Sequence, residues 1–117
     1  MTDQLTHKRC IPCEGGVPPA TDEEIKELMT HVDGWELTTT KQKAVDVKAI
    51  TKEIVFKDFR EAMAFLRTVE DLAESEGHHP DFCVHYNHVV FTIWTHAVRG
   101  LHENDFILAA KIDAIKK

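Results

Sequence analysis

The sequence predicts an α+β fold, a two-layer sandwich in which three helices pack on one four-stranded antiparallel sheet in the order α-β-β-α-β-β-α. Three observations carry this prediction. Apolar residues recur every three or four positions over about 59–76, which is the period of an amphipathic helix. Apolar and polar residues alternate on both sides of Asn87, which is typical of a strand hairpin. A length of 117 residues with 43% hydrophobic content suits one domain with its own core.

The first twenty residues have no pattern of regular structure. They contain a Cys-Ile-Pro-Cys sequence, a Gly-Gly pair and a Pro-Pro pair, and these residues disfavour both helices and central strands. They also bring little apolar surface to a core. We therefore expect a flexible N-terminal arm over 1–20 and a single domain over 21–117.

Local signals place the next elements. Thr21 and Glu24 have the spacing of a capping box, which predicts a first helix over about 22–31. A first strand follows from Trp35. In the second strand the alternation of apolar residues changes parity after Ala49, which predicts either a bulge in one long strand or a break between two strands.

Turn residues bound the second half of the chain. Gly77 suits the left-handed position that ends a helix, and Pro80 prevents the helix from continuing. The hairpin around Asn87 should place His96 at the far end of its second strand. A last helix should begin at residue 103.

The charge of the chain argues against two classes of partner. Fourteen basic and twenty acidic residues give a formal charge of −6, so the summed field repels nucleic acids and anionic membrane surfaces. The longest apolar run is too short to cross a bilayer. Three cysteines are too few for a disulfide framework and are an odd number. We expect a cytoplasmic protein that binds neither nucleic acid directly nor a membrane.

Histidine is the unusual feature of the composition. Six of the eight histidines lie between positions 78 and 102, and imidazole is the side chain that exchanges protons near neutral pH. His78 and His79 follow a predicted helix C-terminus, where the negative end of the helix dipole favours imidazolium. The segment must turn at Gly77 or His78 if both rings are to face one pocket. His96 could return to the same end of the molecule, and Asp105 could orient one ring.

A metal site is the alternative use of these side chains, because three histidines and one carboxylate are an acceptable zinc set. The sequence lacks a pair of histidines four residues apart on a helix and paired Cys-x-x-Cys knuckles. His7, Cys10 and Cys13 would have to borrow a fourth ligand. We therefore expect no metal and no cofactor.

The pattern Glu74-x3-His78-His79-Pro80-x5-Tyr86-x9-His96-x8-Asp105 closely resembles the signature of the pterin-4a-carbinolamine dehydratases, also called 4a-hydroxytetrahydrobiopterin dehydratases. The resemblance covers about residues 21–115. Three positions depart from the family's common residues, namely Phe82, Trp94 and His102, where the family often has Trp, Ser, and Ser or Thr.

The resemblance implies a hydro-lyase that converts a 4a-hydroxytetrahydropterin to the quinonoid dihydropterin and water, in recycling of the tetrahydrobiopterin used by aromatic amino acid hydroxylases. It implies His78 and His96 as the acid/base pair, and His79 as the catalytic-site residue that mainly binds and orients the pterin. The residues it implies for substrate binding are Glu74, Pro80, Phe82, Thr95 and Asp105.

The resemblance leaves a second class open. Members of the family also act as protein-binding modules, including a dimerisation cofactor of a transcription factor. A full set of histidines and carboxylates favours the enzyme over a silent scaffold, which has no need of them. The resemblance and the open edges of the sheet predict a homodimer or homotetramer. A pterin-dependent aromatic amino acid hydroxylase is the partner expected in the same pathway.

Overall fold

A computed structural model of the chain describes residues 3–11 and 18–115. The predicted order of three helices and four strands is confirmed, with one short helix added before it. The helices are α1 (Asp3–Thr6), α2 (Asp22–Met29), α3 (Phe59–Glu76) and α4 (Glu103–Asp113), and the strands are β1 (Glu36–Gln42), β2 (Val45–Val55), β3 (Asp81–His85) and β4 (His88–Ile93).

The four strands form one antiparallel sheet in the spatial order β1-β2-β4-β3. β2 and β4 are therefore central, and β1 and β3 are the edges. Alternate residues of the central strands pack against the helices, because successive side chains of a strand point to opposite faces. The main core comprises, among others, Ile50, Ile54, Val89, Phe91 and Ile93 from the sheet, Phe65 and Val69 from α3, and Phe106, Leu108 and Ile112 from α4.

The expectation of a bulge or a break in the second strand is wrong. β2 runs through eleven residues in continuous register, with Leu37 opposite Ile50 on one side and Ile93 opposite Ile50 on the other. Ala49 and Ile50 lie on opposite faces of the sheet and both are fully buried. The change of parity arises because Ala49 packs with Val47 and Trp94 in a small second cluster on the face away from the main core.

Local contacts set both ends of α3, and the C-terminal end lies at the predicted glycine. The side chain of Asp58 accepts a hydrogen bond from the backbone amide of Glu61 and caps the N-terminus. Gly77 has φ 66°, in the left-handed region where a glycine is favoured, and ends the helix. The backbone amide of His78 then donates to the carbonyl of Ala73. This turn takes the chain out of the helix direction, so that His78 and His79 lie in the connection between α3 and β3.

The expectation that His96 ends a strand is wrong. β4 ends at Ile93, and His96 begins a single turn of 3-10 helix, His96–Val98. The chain turns back here because Thr95 pairs with Gly100 in an isolated antiparallel bridge and Arg99 takes a left-handed conformation. Gly100 is required by space, because a Cβ there would lie 2.9 Å from the Cβ of Pro19.

The described part of the N-terminal arm packs on the domain. Leu5 in α1 is 3% exposed and belongs to the main core beside α4. The backbone amide of Ala20 donates to the carbonyl of Leu101. The expectation that residues 1–20 bring little apolar surface to the core is therefore wrong at Leu5. The described residues 3–11 are thus attached to the domain, and the boundary between an arm over 1–20 and a domain over 21–117 stays a prediction. None of the helices in the described ranges is both long and apolar enough to span a membrane.

Candidate active site

His78 is held by a buried carboxylate at the start of α4. Its Nε2 lies 2.6 Å from Oδ1 of Asp105, whose side chain is 0% exposed. A carboxylate only accepts hydrogen bonds, so Nε2 of His78 carries the proton that is shared with Asp105. Nδ1 is then the ring nitrogen of His78 that can take a proton from a ligand or return one.

Asp105 also accepts two further hydrogen bonds, both on Oδ2. The hydroxyl of Thr95 donates over 2.8 Å, and the backbone amide of His102 donates over 2.9 Å. The second bond is half of a capping box, because His102 is the N-cap of α4 and its Nδ1 accepts from the backbone amide of Asn104. His102 thus performs the capping task of the Ser or Thr that is common at this position. The same carboxylate orients His78 and closes the first turn of α4.

His79 points to a different carboxylate. Its Nε2 lies 2.6 Å from Oε2 of Glu74, in the last turn of α3. Both side chains are largely exposed, so this pair adds little stability but restricts the ring of His79. Gly77 supplies the turn that lets His78 and His79 border one cleft with different carboxylate partners.

His96 is positioned by an aromatic ring. Its imidazole stacks on the indole of Trp94, with ring centroids 3.8 Å apart and planes 27° apart. Nε1 of Trp94 donates to Oδ2 of Asp81 over 3.3 Å, which anchors the indole to the start of β3. The backbone turn that begins at Thr95 presents His96, which is exposed, to solvent and the cleft.

These side chains border a cleft of about 700 Å³, a volume in the ordinary range for small-molecule sites. Six of the eight residues predicted for the site line it, namely Glu74, His78, His79, Pro80, Thr95 and His96. Asp105 lies behind His78 and supports it. Phe82 does not line this cleft. It lines an adjoining, more apolar cavity of about 450 Å³, which shares Glu74, His79 and Pro80 with the first.

Sequence reasoning missed one wall of the cleft. Arg9, Cys10 and Ile11 line it, and so do Glu76 and Asn104. The only signal in the sequence was that Asn104 and Glu76 adjoin predicted site residues. The contacts between residues 9–11 and α4 join positions more than ninety apart, which no local pattern reveals.

Glu76 fastens this wall to the domain. Its Oε1 accepts from the backbone amide of Cys10 over 2.8 Å, and its Oε2 accepts from Nζ of Lys111 over 2.6 Å. Burial acts to raise the pKa of Glu76, but the hydrogen bonds from Lys111 and Cys10 outweigh it and hold that pKa below its ordinary value.

Replacing Glu76 by Gln is expected to lower the free energy of unfolding by about 1–3 kcal/mol at pH 7. A carboxyl whose pKa is lower in the folded chain stabilises the fold above its unfolded-state pKa, and that stabilisation is lost as pH falls through the folded-state pKa. The difference between wild type and Glu76→Gln should therefore shrink in acid. Urea unfolding at pH 7 and near pH 3 measures this, with Glu70→Gln on the exposed side of α3 as control. A difference that stays constant over this range would contradict the assignment.

No group of three or more His, Cys, Asp or Glu side chains that could hold a metal ion occurs in residues 3–11 and 18–115. Burial, and then the neighbouring charge of Glu76, raise the pKa of the Cys10 thiol to about 12. The thiolate that a metal needs is therefore disfavoured at Cys10. Cys13 lies outside the described residues.

The fold and the cleft together define an α+β domain with a histidine-rich cleft. The family model described as "Pterin 4 alpha carbinolamine dehydratase" matches residues 18–115. The chain belongs to the pterin-4-alpha-carbinolamine dehydratase family, and the class of enzyme is a hydro-lyase.

Relatives along the whole chain agree with this family. A protein of Methylococcus capsulatus is 46% identical over 95% of this chain and 92% of its own length. One of Nitrosospira multiformis is 45% identical over 97% of this chain and 93% of its own. Both bear the name "Putative pterin-4-alpha-carbinolamine dehydratase". The crystal structure of a Brucella melitensis protein, titled a transcriptional coactivator/pterin dehydratase, matches with a TM-score of 0.70 at 34% identity. The match covers 82% of this chain and 96% of that one.

Proposed function

We propose that this chain removes water from 4a-hydroxytetrahydropterins and releases the quinonoid dihydropterin. In this reaction the bond from C4a to the hydroxyl oxygen breaks, N5 gives up its proton, and a double bond forms between C4a and N5. The hydroxyl leaves as water once it has been protonated. One group must therefore deliver a proton while another accepts one, and imidazoles do both near neutral pH.

The observation that carries the proposal is the convergence of three imidazoles on one cleft, each with its own support. Asp105 orients His78, Glu74 restricts His79, and Trp94 stacks on His96. A binding surface without chemistry would have no use for three imidazoles on one cleft, each of them oriented by its own neighbour. The same arrangement suits proton transfer, because it presents a ring nitrogen whose protonation state can change.

We assign His78 and His96 as the acid/base pair and His79 as the group that binds and orients the pterin. Thr95 is buried and its hydroxyl donates to Asp105, so we assign it to support of the carboxylate as well as to the cleft edge. Pro80 offers apolar surface to the flat ring. Phe82 borders the adjoining cavity, so its contact with substrate requires the ligand to extend past His79 and Pro80.

The proposal places this step in recycling of a tetrahydrobiopterin-type cofactor in the cytoplasm. Its substrate must come from a monooxygenation that leaves a hydroxyl on C4a, as an aromatic amino acid hydroxylase does. The product must then be reduced to regenerate the tetrahydropterin. The dual title of the Brucella melitensis protein keeps a protein-binding module as the second candidate function.

The decisive test is turnover of a carbinolamine made in situ by a pterin-dependent hydroxylase. Because the carbinolamine also loses water without catalysis, the measured quantity is the rate of quinonoid dihydropterin formation above the protein-free rate. We expect a large, concentration-dependent acceleration. A rate equal to the protein-free rate would remove the enzymatic proposal and leave the protein-binding module.

We also expect a homodimer, or a homotetramer built from dimers. β1 and β3 are the edges of the sheet, and edge strands carry backbone groups that association can pair. Leu37 on β1 and Phe82 on β3 are large apolar side chains that are half exposed in the single chain. Light scattering over a dilution series at micromolar concentration measures the mass. A mass of 13.4 kDa throughout, that of one chain, would contradict the expectation.

A further inference from the structure

The segment 9–11 is fixed against the cleft by a buried side chain of α4. Asn104 is 2% exposed, and its side-chain amide meets both backbone groups of Ile11. Its Oδ1 accepts from the amide of Ile11 over 3.0 Å, and its Nδ2 donates to the carbonyl of Ile11 over 2.6 Å. The thiol of Cys10 lies 3.5 Å from the backbone carbonyl of Asn104. Asn104 thus pairs with Ile11 much as a neighbouring strand would.

A second set of hydrogen bonds holds the residues just before Ile11. Glu76 binds the backbone amide of Cys10, and Arg9 donates from Nη2 to the carbonyl of Ser75 over 3.0 Å. Leaving a buried amide or carboxylate without partners costs about 1–3 kcal/mol or more. Detaching residues 9–11 would expose Asn104 and Glu76 to that cost. The segment is therefore a fixed wall rather than a loose end, and it is joined to the residue that precedes Asp105.

The wall formed by residues 9–11 is distinct from the residues assigned to proton transfer. The family model matches residues 18–115, which include every residue assigned to proton transfer, whereas residues 9–11 lie outside the match. Proton transfer takes place at C4a and N5 of the ring, so the histidines must face the ring. The rest of the cleft is therefore available to the substituent on the pterin ring.

We propose that residues 9–11 form the wall of the cleft that selects the substituent on the pterin ring, and that Asn104 is the positioning residue that holds this wall. Ile11 offers apolar surface, since its side chain is 61% exposed, and Arg9 offers N–H donors. A substituent with a carbon stem and hydroxyl groups fits both. The inference rests on the proposed function, because it names how the same cleft chooses among pterins.

The test compares two carbinolamines, one with a 6-methyl group and one with a 6-dihydroxypropyl group. The measured quantity is the ratio of kcat/KM for the second to that for the first. Ile11→Ala and Asn104→Ala should each lower this ratio about 3–10-fold, which corresponds to one lost contact of about 1 kcal/mol, and KM should carry the change. Val55→Ala, which removes a similarly exposed apolar side chain on β2 outside the cleft, is the matched control. If Asn104→Ala does not fold, Ile11→Ala carries the test alone.

A binding readout that needs no turnover uses Cys10 in the full chain with Cys13→Ser and Cys83→Ser. The rate of alkylation of Cys10 by iodoacetamide is measured at about pH 9, where the raised pKa of the thiol still permits a slow reaction, with and without 7,8-dihydrobiopterin. Bound pterin should slow the reaction, and Asn104→Ala should speed it in the absence of pterin, because the thiol lies in the wall.

The two readouts separate the wall from the reaction. An active wild type whose substrate ratio is unchanged in both variants would overturn the wall and leave the proposed function intact. An inactive wild type in which dihydrobiopterin protects Cys10 would support the wall and overturn the reaction. An inactive wild type without protection would overturn both.

Discussion

His78→Ala and His96→Ala are each expected to lower kcat about 10²–10⁴-fold, the usual contribution of general acid–base catalysis and equivalent to roughly 3–5 kcal/mol in the transition state. If the two rings act as one proton-transfer unit, the double variant should lose much less than the product of the single losses. His79→Ala should mainly raise KM, because a residue that binds substrate and transition state alike contributes uniform binding. Steady-state turnover of an authentic carbinolamine measures all four variants.

Controls separate chemistry from folding in this series. His78→Ala leaves the buried carboxylate of Asp105 without one partner, so His78→Gln, which can still donate to that carboxylate but cannot transfer a proton in its place, is the second variant. His85→Ala removes an exposed histidine of β3 outside the cleft lining and should keep wild-type kcat. Wild-type kcat in both His78→Gln and His96→Ala would end the enzymatic assignment of the cleft.

Asp105→Ala is expected to lower the free energy of unfolding by about 3–5 kcal/mol, the largest effect on stability that we expect. The change removes the shared acceptor of three donors, on His78, Thr95 and His102, and this acceptor is a carboxylate that is 0% exposed. Urea unfolding monitored by circular dichroism measures the loss. Asp58→Ala, which removes an exposed cap of α3, is the comparison and should cost only about 1 kcal/mol.

Asp105→Asn should separate the structural task from the catalytic one. With its carbonyl in the place of Oδ2, the amide still accepts from Thr95 and His102, so the fold should be largely kept. Its NH₂ group then faces Nε2 of His78, which can no longer carry a proton there, and the proton moves to Nδ1. The expected result is a folded enzyme with strongly reduced kcat and an altered His78 tautomer, read from ¹⁵N chemical shifts of the ring. Unchanged kcat would show that the orientation of His78 is not used in the reaction.

Much of the fold was predictable because its boundaries are set by neighbours in the sequence. Thr21 with Glu24 begins α2, and Asp58 with Glu61 begins α3, each within one helical turn. Gly77 ends α3 at the position that the sequence predicted. The wrong predictions concern residues whose burial depends on contacts with residues distant in the sequence. Ala49 is buried because Trp94 covers it, and Leu5 is buried because α4 passes beside it. Neither contact leaves a periodic signal in the local sequence.

The sequence likewise predicted only part of the candidate site. The sequence predicted that Asp105 orients one of the rings and that the chain turns at Gly77 or His78. It did not indicate that the ring held by Asp105 is that of His78. The stack of His96 on Trp94 was not predicted, because a Trp at that position had been seen only as a departure from the family's common residue. The wall at residues 9–11 was missed because it is built by backbone bonds to Asn104, and backbone partners carry no residue-type signature.

The two tasks of Asp105 constrain the order in which this domain could lose its activity over time. A change at His79 or His96, both exposed, removes a cleft group at little cost to folding, and such a lineage can keep a well-folded domain for other uses. A first change at Asp105 would instead have to be tolerated by a chain that has lost much of its stability margin. Inactive descendants of such a chain should therefore have replaced exposed histidines and retained the aspartate, so that a preserved aspartate by itself is poor evidence of preserved catalysis.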